Sequence, residues 1–129
     1  KVKLGLIFVN FCKDNDIMIV VSSNWRKFDI DGTWTNSYGT YKNPLSELIS
    51  MISDVYLDTL PSDRHVTKSV ALVKWLNITG YAGKFVIFDD DVSEGYGKTD
   101  DYNIKNMFIQ IDAATGITDN DLKKASDIL

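Results

Sequence analysis

Phe85-Val86-Ile87-Phe88-Asp89-Asp90-Asp91 joins four apolar residues to three carboxylates with nothing between them. An apolar run this short and this pure reads as a strand buried on both faces. Three adjacent aspartates cannot be buried unpaired at its end, because each ionised carboxylate would cost several kcal/mol. They are expected instead at the mouth of a sheet, where open α/β folds bind their ligands. Hard oxygen donors on a rigid strand end suit Mg²⁺. The plainer alternative is a solvated acidic turn after a buried strand.

Working outward, Ile17-Met18-Ile19-Val20-Val21 is the strongest strand pattern, five apolar residues that are mostly β-branched. It runs into Ser22-Ser23-Asn24-Trp25-Arg26. Hydroxyls and backbone N–H groups at a strand-to-helix turn are natural phosphate ligands, which makes Ser22 and Ser23 candidates. Capping of the next element is their simpler use. Met107-Phe108-Ile109-Gln110-Ile111 reads as a third core strand. Between and around these runs lie helical patterns. Residues 1–14 are densely apolar and read as a helix with a polar exit at Lys13-Asp14-Asn15-Asp16. Pro44 opens a helix with Leu45, Leu48, Ile49 and Ile52 on one face. Thr67 to Asn77 forms a clearer one, with Val70, Val73 and Leu76, and the pair Leu72 and Trp75, at helical spacing. The last helix carries Leu122, Ala125 and Ile128, preceded by Thr118 and Asp121 as a capping box. Residues 27–43 read as a long polar and aromatic loop, Val55-Tyr56-Leu57 as a short strand, and Leu60 to Arg64 as a turn. Strands alternating with helices predict an α/β, three-layer sandwich with a mainly parallel sheet.

The bulk properties narrow the function classes. A chain of 129 residues is the size of one domain with a real core. Its 44% hydrophobic and 25% charged content is ordinary for a globular protein. A net charge of −4 speaks against a broad nucleic-acid-binding surface, although a local basic cluster can still hold one phosphate. Cys12 is the single cysteine, which excludes an internal disulfide framework and fits a reducing, cytoplasmic setting. No apolar run approaches the roughly 20 residues of a membrane helix, so no membrane partner is expected. Leu4 to Phe11 is too short for a signal peptide core with these flanks.

Three separated motifs together resemble the haloacid-dehalogenase-like (HAD) phosphatases. Val20-Val21-Ser22-Ser23-Asn24-Trp25-Arg26 is similar to that family's second motif. Lys68, just before the helix carrying Trp75-Leu76, resembles the basic third motif, and Phe85 to Asp91 resembles the acidic fourth. The Ser-Ser-x-Trp-Arg spelling, the Trp-Leu helix and the tail Ala114-Thr115-Gly116-Ile117-Thr118 are most similar to the HAD branch of Swiss-army-knife RNA-repair proteins. The resemblance implies a Rossmannoid domain that hydrolyses phosphomonoesters with Mg²⁺. It implies that Ser22 hydrogen-bonds the transferring phosphoryl group, with Ser23 beside it. Lys68 would neutralise the phosphate and steady the nucleophile, Asp89 and Asp90 would hold Mg²⁺, and Arg26 would touch substrate. The implied partner is a phosphorylated small molecule, such as a nucleotide, or a nucleic-acid end. Phosphoryl transfer agrees with such a set, since it relies on positioned donors and cations around the transferring oxygens.

The chain departs from the family in one respect. The nucleophile is an Asp-x-Asp at the end of a first strand, N-terminal to the three motifs, and the chain is expected to start beyond that strand. Asp29-Ile30-Asp31-Gly32-Thr33 spells the motif, but it follows Asn24-Trp25-Arg26-Lys27-Phe28 rather than an apolar strand. A turn in the long loop is the expected use of those residues. Two other readings stay open, a non-catalytic HAD-like domain that binds phosphate or protein, and a receiver-like signalling domain. Of the remaining candidates, His65 has no partner at metal spacing and is expected at a turn or surface. Trp75 is expected in the core and Trp25 to pack. Tyr38 and Tyr41 are expected either to meet substrate or to cover the sheet, and Glu94, Asp100 and Asp101 to form a solvated loop.

Overall fold

The structure is a computed structural model that describes residues 2–23, 33–42, 45–61 and 65–129. The chain divides into two compact units, residues 1–64 and 65–129. Arg26, Trp25, Asp29-Ile30-Asp31, Pro44 and the turn at 62–64, all singled out above, lie outside the described residues.

The first unit begins with helix α1 (Val2–Asp14), the helix expected there. Strand β1 (Ile19–Val21) pairs in parallel with β4 (Tyr56–Thr59), and helix α2 (Leu45–Met51) precedes β4. Ile17 and Met18 fall outside the strand: the Ile17 N–H caps the end of α1 by donating to the Cys12 carbonyl at 2.8 Å, and Met18 is half exposed. The core of this unit is Cys12, Val21, Ile52 and Val55, with Phe8, Phe11, Ile19 and Ile49 packed on it. Residues 33–42, read as loop from sequence, instead form a hairpin of β2 (Thr33–Asn36) and β3 (Gly39–Lys42) in antiparallel register, Trp34 opposite Tyr41. Thr, Trp and Tyr are strand formers, and their polar neighbours masked that preference. Tyr38, at the hairpin tip, is 89% exposed.

The second unit begins with helix α3 (Lys68–Thr79), ended by Gly80 in the left-handed conformation at φ 67°, whose N–H donates to the Leu76 carbonyl. Its buried residues include Lys68, Ala71, Leu72, Trp75 and Leu76. That is the i, i+3, i+4, i+7, i+8 stripe of an amphipathic helix. Val70, expected on this face, is 50% exposed. Trp75 is buried as expected, and His65 sits exposed in the turn before the helix. Strand β5 (Ile87–Asp89) pairs in parallel with β6 (Phe108–Gln110), Asp89 opposite Gln110. The strand is shorter than the apolar run: Phe85 and Val86 precede it, and Phe88 is half-buried rather than enclosed on both faces. Among the described residues β5 is hydrogen-bonded along β6 in a two-stranded ladder.

Three short 3₁₀ turns follow β5, at Val92–Glu94, Tyr96–Lys98 and Asp101–Asn103, then a one-turn helix α4 (Ile104–Met107) leads into β6. Tyr96 is buried with its ring 5.5 Å from that of Phe108, which anchors these turns to β6. The last helix, α5 (Asp119–Ile128), opens on the expected capping box, with Asp121 N–H donating to Thr118 Oγ1 and Thr118 N–H to Asp121 Oδ2. Two parallel strand pairs among helices make the chain α/β. No helix among the described residues is long and apolar enough to cross a membrane.

Candidate functional site

Lys68 and Asp89, 21 residues apart in sequence, meet in the second unit. The Lys68 ammonium donates to Asp89 Oδ2 at 2.8 Å. Both residues are buried, Lys68 at 9% and Asp89 at 6% exposure. Each position has a local cause. Lys68 occupies the first place on the buried stripe of α3, so its stem runs inward with Ala71 and Leu72. Asp89 is the last residue of β5 and shares the inward side of that strand with Ile87. An ammonium and a carboxylate removed from water hold each other's charge, and neither is tolerated there alone.

The acidic run then turns back on itself. Asp89 Oδ1 accepts from the Asp91 N–H at 2.9 Å, and the Asp89 carbonyl accepts from the Ile111 N–H at 2.9 Å. Asp91 Oδ1 accepts from both the Ser93 hydroxyl, at 2.6 Å, and the Ser93 N–H, at 2.8 Å. These bonds, the hydroxyl's first, hold the Asp91 carboxyl below the ordinary aspartate value, and the Lys68 charge adds to the effect. Asp90 is exposed. Glu94 corrects the solvated-loop expectation: it is half-buried, and its Oε2 accepts from the Lys68 N–H at 2.7 Å. Asp100 and Asp101 are exposed as expected, Asp100 in an ion pair with Lys105 at 2.7 Å.

Of the residues singled out from sequence, the structure thus brings Lys68 and Asp89 together. Ser22 and Ser23 follow β1 in the first unit, both half-buried. Sequence reading missed Asp91, Ser93 and Glu94 as parts of the cluster. The Asp-x-Ser spacing of 91 and 93 is a turn signature that was available. Glu94 meets Lys68 across 26 residues and carries no local signal.

The described residues do not by themselves fit a Mg²⁺ ion. Both Asp89 oxygens already accept hydrogen bonds, one of them from a cation. Among the described residues no group of three or more His, Cys, Asp or Glu side chains is arranged to hold a metal. What the arrangement does offer is a fixed, buried ammonium beside a strand end, framed by carboxylates.

A comparison with protein families matches residues 7–122 to the HAD domain in Swiss Army Knife RNA repair proteins. No curated protein and no solved structure matches the chain. The matched span takes in β1 with Ser22, the start of α3 with Lys68, and the β5 end with Asp89, the elements on which the motifs sit. The chain belongs to the family of HAD domains of Swiss Army Knife RNA repair proteins.

Proposed function

We propose that this domain is a Mg²⁺-dependent phosphomonoester hydrolase of HAD type, acting on the phosphate of a nucleotide or of a nucleic-acid end. The observation that carries the reading is the buried Lys68–Asp89 pair at the end of β5. A lysine held this rigidly is a preorganised positive charge, which is worth most where negative charge develops on transferring oxygens. The roles follow the family's motif pattern: Lys68 as the cation that neutralises the phosphate, Ser22 and Ser23 as hydroxyl donors to it, and Arg26 as a substrate contact. An end phosphate, rather than the length of a polyanion, suits a chain of net charge −4.

The requirement for a divalent cation has an electrostatic basis in the same cluster. The Lys68 ammonium is paired with Asp89 and acts on Asp91, while Glu94 holds the backbone N–H of the same residue. A phosphate dianion approaching such a group meets repulsion from its carboxylates, which a divalent cation would relieve. The proposal extends to architecture: residues 1–129 form one HAD-like domain with a mainly parallel sheet in a three-layer sandwich, as the family implies.

The test is hydrolysis by the full-length protein of an aryl phosphate, a nucleoside monophosphate and an oligonucleotide with a terminal phosphate, with Mg²⁺ and with EDTA. Activity that needs Mg²⁺ and drops about 10²–10³-fold in Lys68→Ala is the expected result. Equal rates with EDTA would remove the metal from the proposal, and an unaffected Lys68→Ala would remove the site. One observation favours a second reading, a non-catalytic HAD-like domain that binds phosphate or protein: both Asp89 oxygens are already engaged within the chain. Orthophosphate binding that is lost in Lys68→Ala, with no hydrolysis of any of the three substrates, is its signature.

A further inference from the structure

The N-terminus of α3 is finished by a residue from a different element. The first N–H groups of a helix have no partner within it, and the preceding Ser or Thr side chain normally supplies one. Thr67 stands in that place with extended backbone, yet its side chain makes no capping bond and instead contacts Ser69 Oγ at 3.0 Å. Glu94 takes over, accepting from the Lys68 N–H at 2.7 Å. A carboxylate there is a charge-assisted acceptor and also answers the positive end of the helix. It offsets the mild penalty of placing a lysine in the first turn.

The next residue shows that this contact is built tightly. Gly95 has φ 86°, and a Cβ on it would lie 2.6 Å from Ser69 Oγ. The loop therefore reaches the start of α3 closely enough only with glycine at 95. Upstream, Asp91 folds the loop through Ser93, and Asp89 holds Asp91 through its amide. The end of β5 and the loop after it thus hold Lys68 twice, by its ammonium from Asp89 and by its amide from Glu94.

We propose that Glu94 is a positioning residue: it fixes the backbone of Lys68 so that the ammonium stands where the phosphate site needs it. Its catalytic consequence rests on the phosphatase reading above; its structural action on Lys68 does not. Loss of such a supporting contact commonly lowers activity about 10–100-fold. A residue that acts only through Lys68 has no further effect once Lys68 is gone.

The experiment compares wild type, Glu94→Gln, Glu94→Ala and Gly95→Ala, each also in a Lys68→Ala background. Its first readout is NMR of the Lys68 amide and ammonium, which needs no activity. In Glu94→Ala, and in Gly95→Ala where the loop is pushed away, the amide exchanges about tenfold faster and the ammonium loses its protected signal. Glu94→Gln, whose amide oxygen still accepts, keeps both. The second readout is hydrolysis with Mg²⁺: kcat falls about 10–100-fold in Glu94→Ala, recovers in Glu94→Gln, and shows no added loss in the Lys68→Ala background. An unchanged Lys68 amide and ammonium in Glu94→Ala overturns the proposal. So does a Glu94→Ala loss that simply multiplies with that of Lys68→Ala. A wild type inert toward every substrate overturns the phosphatase reading alone, because the NMR readout still decides the role of Glu94.

Discussion

Replacing Lys68 with Met should destabilise the protein far more than an ordinary surface lysine substitution. Met keeps most of the aliphatic stem, so the inward packing of residue 68 alongside Ala71 and Leu72 is largely preserved. What is lost is the ammonium 2.8 Å from a carboxylate whose side chain is 3% exposed. Breaking a buried pair by removing one partner typically costs about 3–5 kcal/mol. Asp89 retains the Asp91 N–H on its other oxygen, which points to the lower end, about 3 kcal/mol. Asp89→Asn removes the paired counterion of the Lys68 ammonium and leaves it the weaker influence of Asp91, and that side chain is 11% exposed and reaches water more easily; about 2 kcal/mol is expected. The double variant Lys68→Met/Asp89→Asn buries no charge and keeps an acceptor for Asp91, so it should lie within about 1 kcal/mol of wild type. Urea unfolding followed by tryptophan fluorescence and far-ultraviolet circular dichroism measures all four proteins. With an m value of about 1.5 kcal/mol/M, a 3 kcal/mol loss moves the midpoint by roughly 2 M. The decisive quantity is the coupling between the two substitutions, expected at 2 kcal/mol or more on the order of a strong contact pair. Single variants that each cost under about 1 kcal/mol, and whose effects add in the double variant, would refute the claim that this pair is buried and mutually dependent.

Two further outcomes are expected. Asp91 has its folded pKa below the ordinary aspartate value of 3.8 because of Ser93 and Lys68, so its stabilising contribution is present above that pH and fades as pH falls through the lower folded value. Carboxyl NMR should show Asp91 titrating below 3.8, and Ser93→Ala should move it upward; an unmoved Asp91 would assign the effect elsewhere. Burial pushes the Cys12 thiol up from 9.0 to about 11, so it stays neutral and shielded at neutral pH. Its contribution to stability holds below pH 9 and is lost as pH rises toward 11. Alkylation of native protein at pH 8 should be slower than in urea by a factor that tracks unfolding, and fast native labelling would contradict its burial.

The elements that sequence reading placed well carry their signals locally. The Thr118–Asp121 box, the apolar length of α1 and the β-branched content at Ile19 to Val21 are each decided within a few residues. The misreadings share a different cause, the use of apolar residues alone. Of the apolar residues at helical spacing in α3, Leu72, Trp75 and Leu76 are buried and Val70 is exposed, while the buried stripe also takes in Lys68 and Ala71. Including the small alanine and the long lysine stem would have found that stripe and predicted the burial of Lys68. The hairpin at 33–42 was lost because its strand-forming threonines and aromatics alternate with polar neighbours. In the site, the demand that three aspartates not be buried unpaired put all three at the mouth of the sheet; Asp89 is buried instead, and the Lys68 ammonium is what makes that burial tolerable. Which acid would turn outward and which would cap α3 depended on contacts 21 and 26 residues apart, beyond the reach of any local pattern.

The external capping of α3 also bears on the order in which the second unit assembles. Helix α3 has twelve residues, too few to be stable alone in water, and its first turn lacks the bond its own Thr67 would ordinarily provide. That bond waits for the chain to return after β5, along with the ion pair at the same residue. Closing loops of this length adds only a modest entropic barrier, but it must be crossed before either contact forms. The C-terminal end of α3 is instead closed locally, by Gly80 donating its N–H to the Leu76 carbonyl. The start of α3 is therefore the late-forming end of the helix, and the ammonium acquires its place in the same step that docks the loop. A nascent chain that has emerged through α3 but not yet through Glu94 holds this helix with its first turn frayed and its lysine still in water.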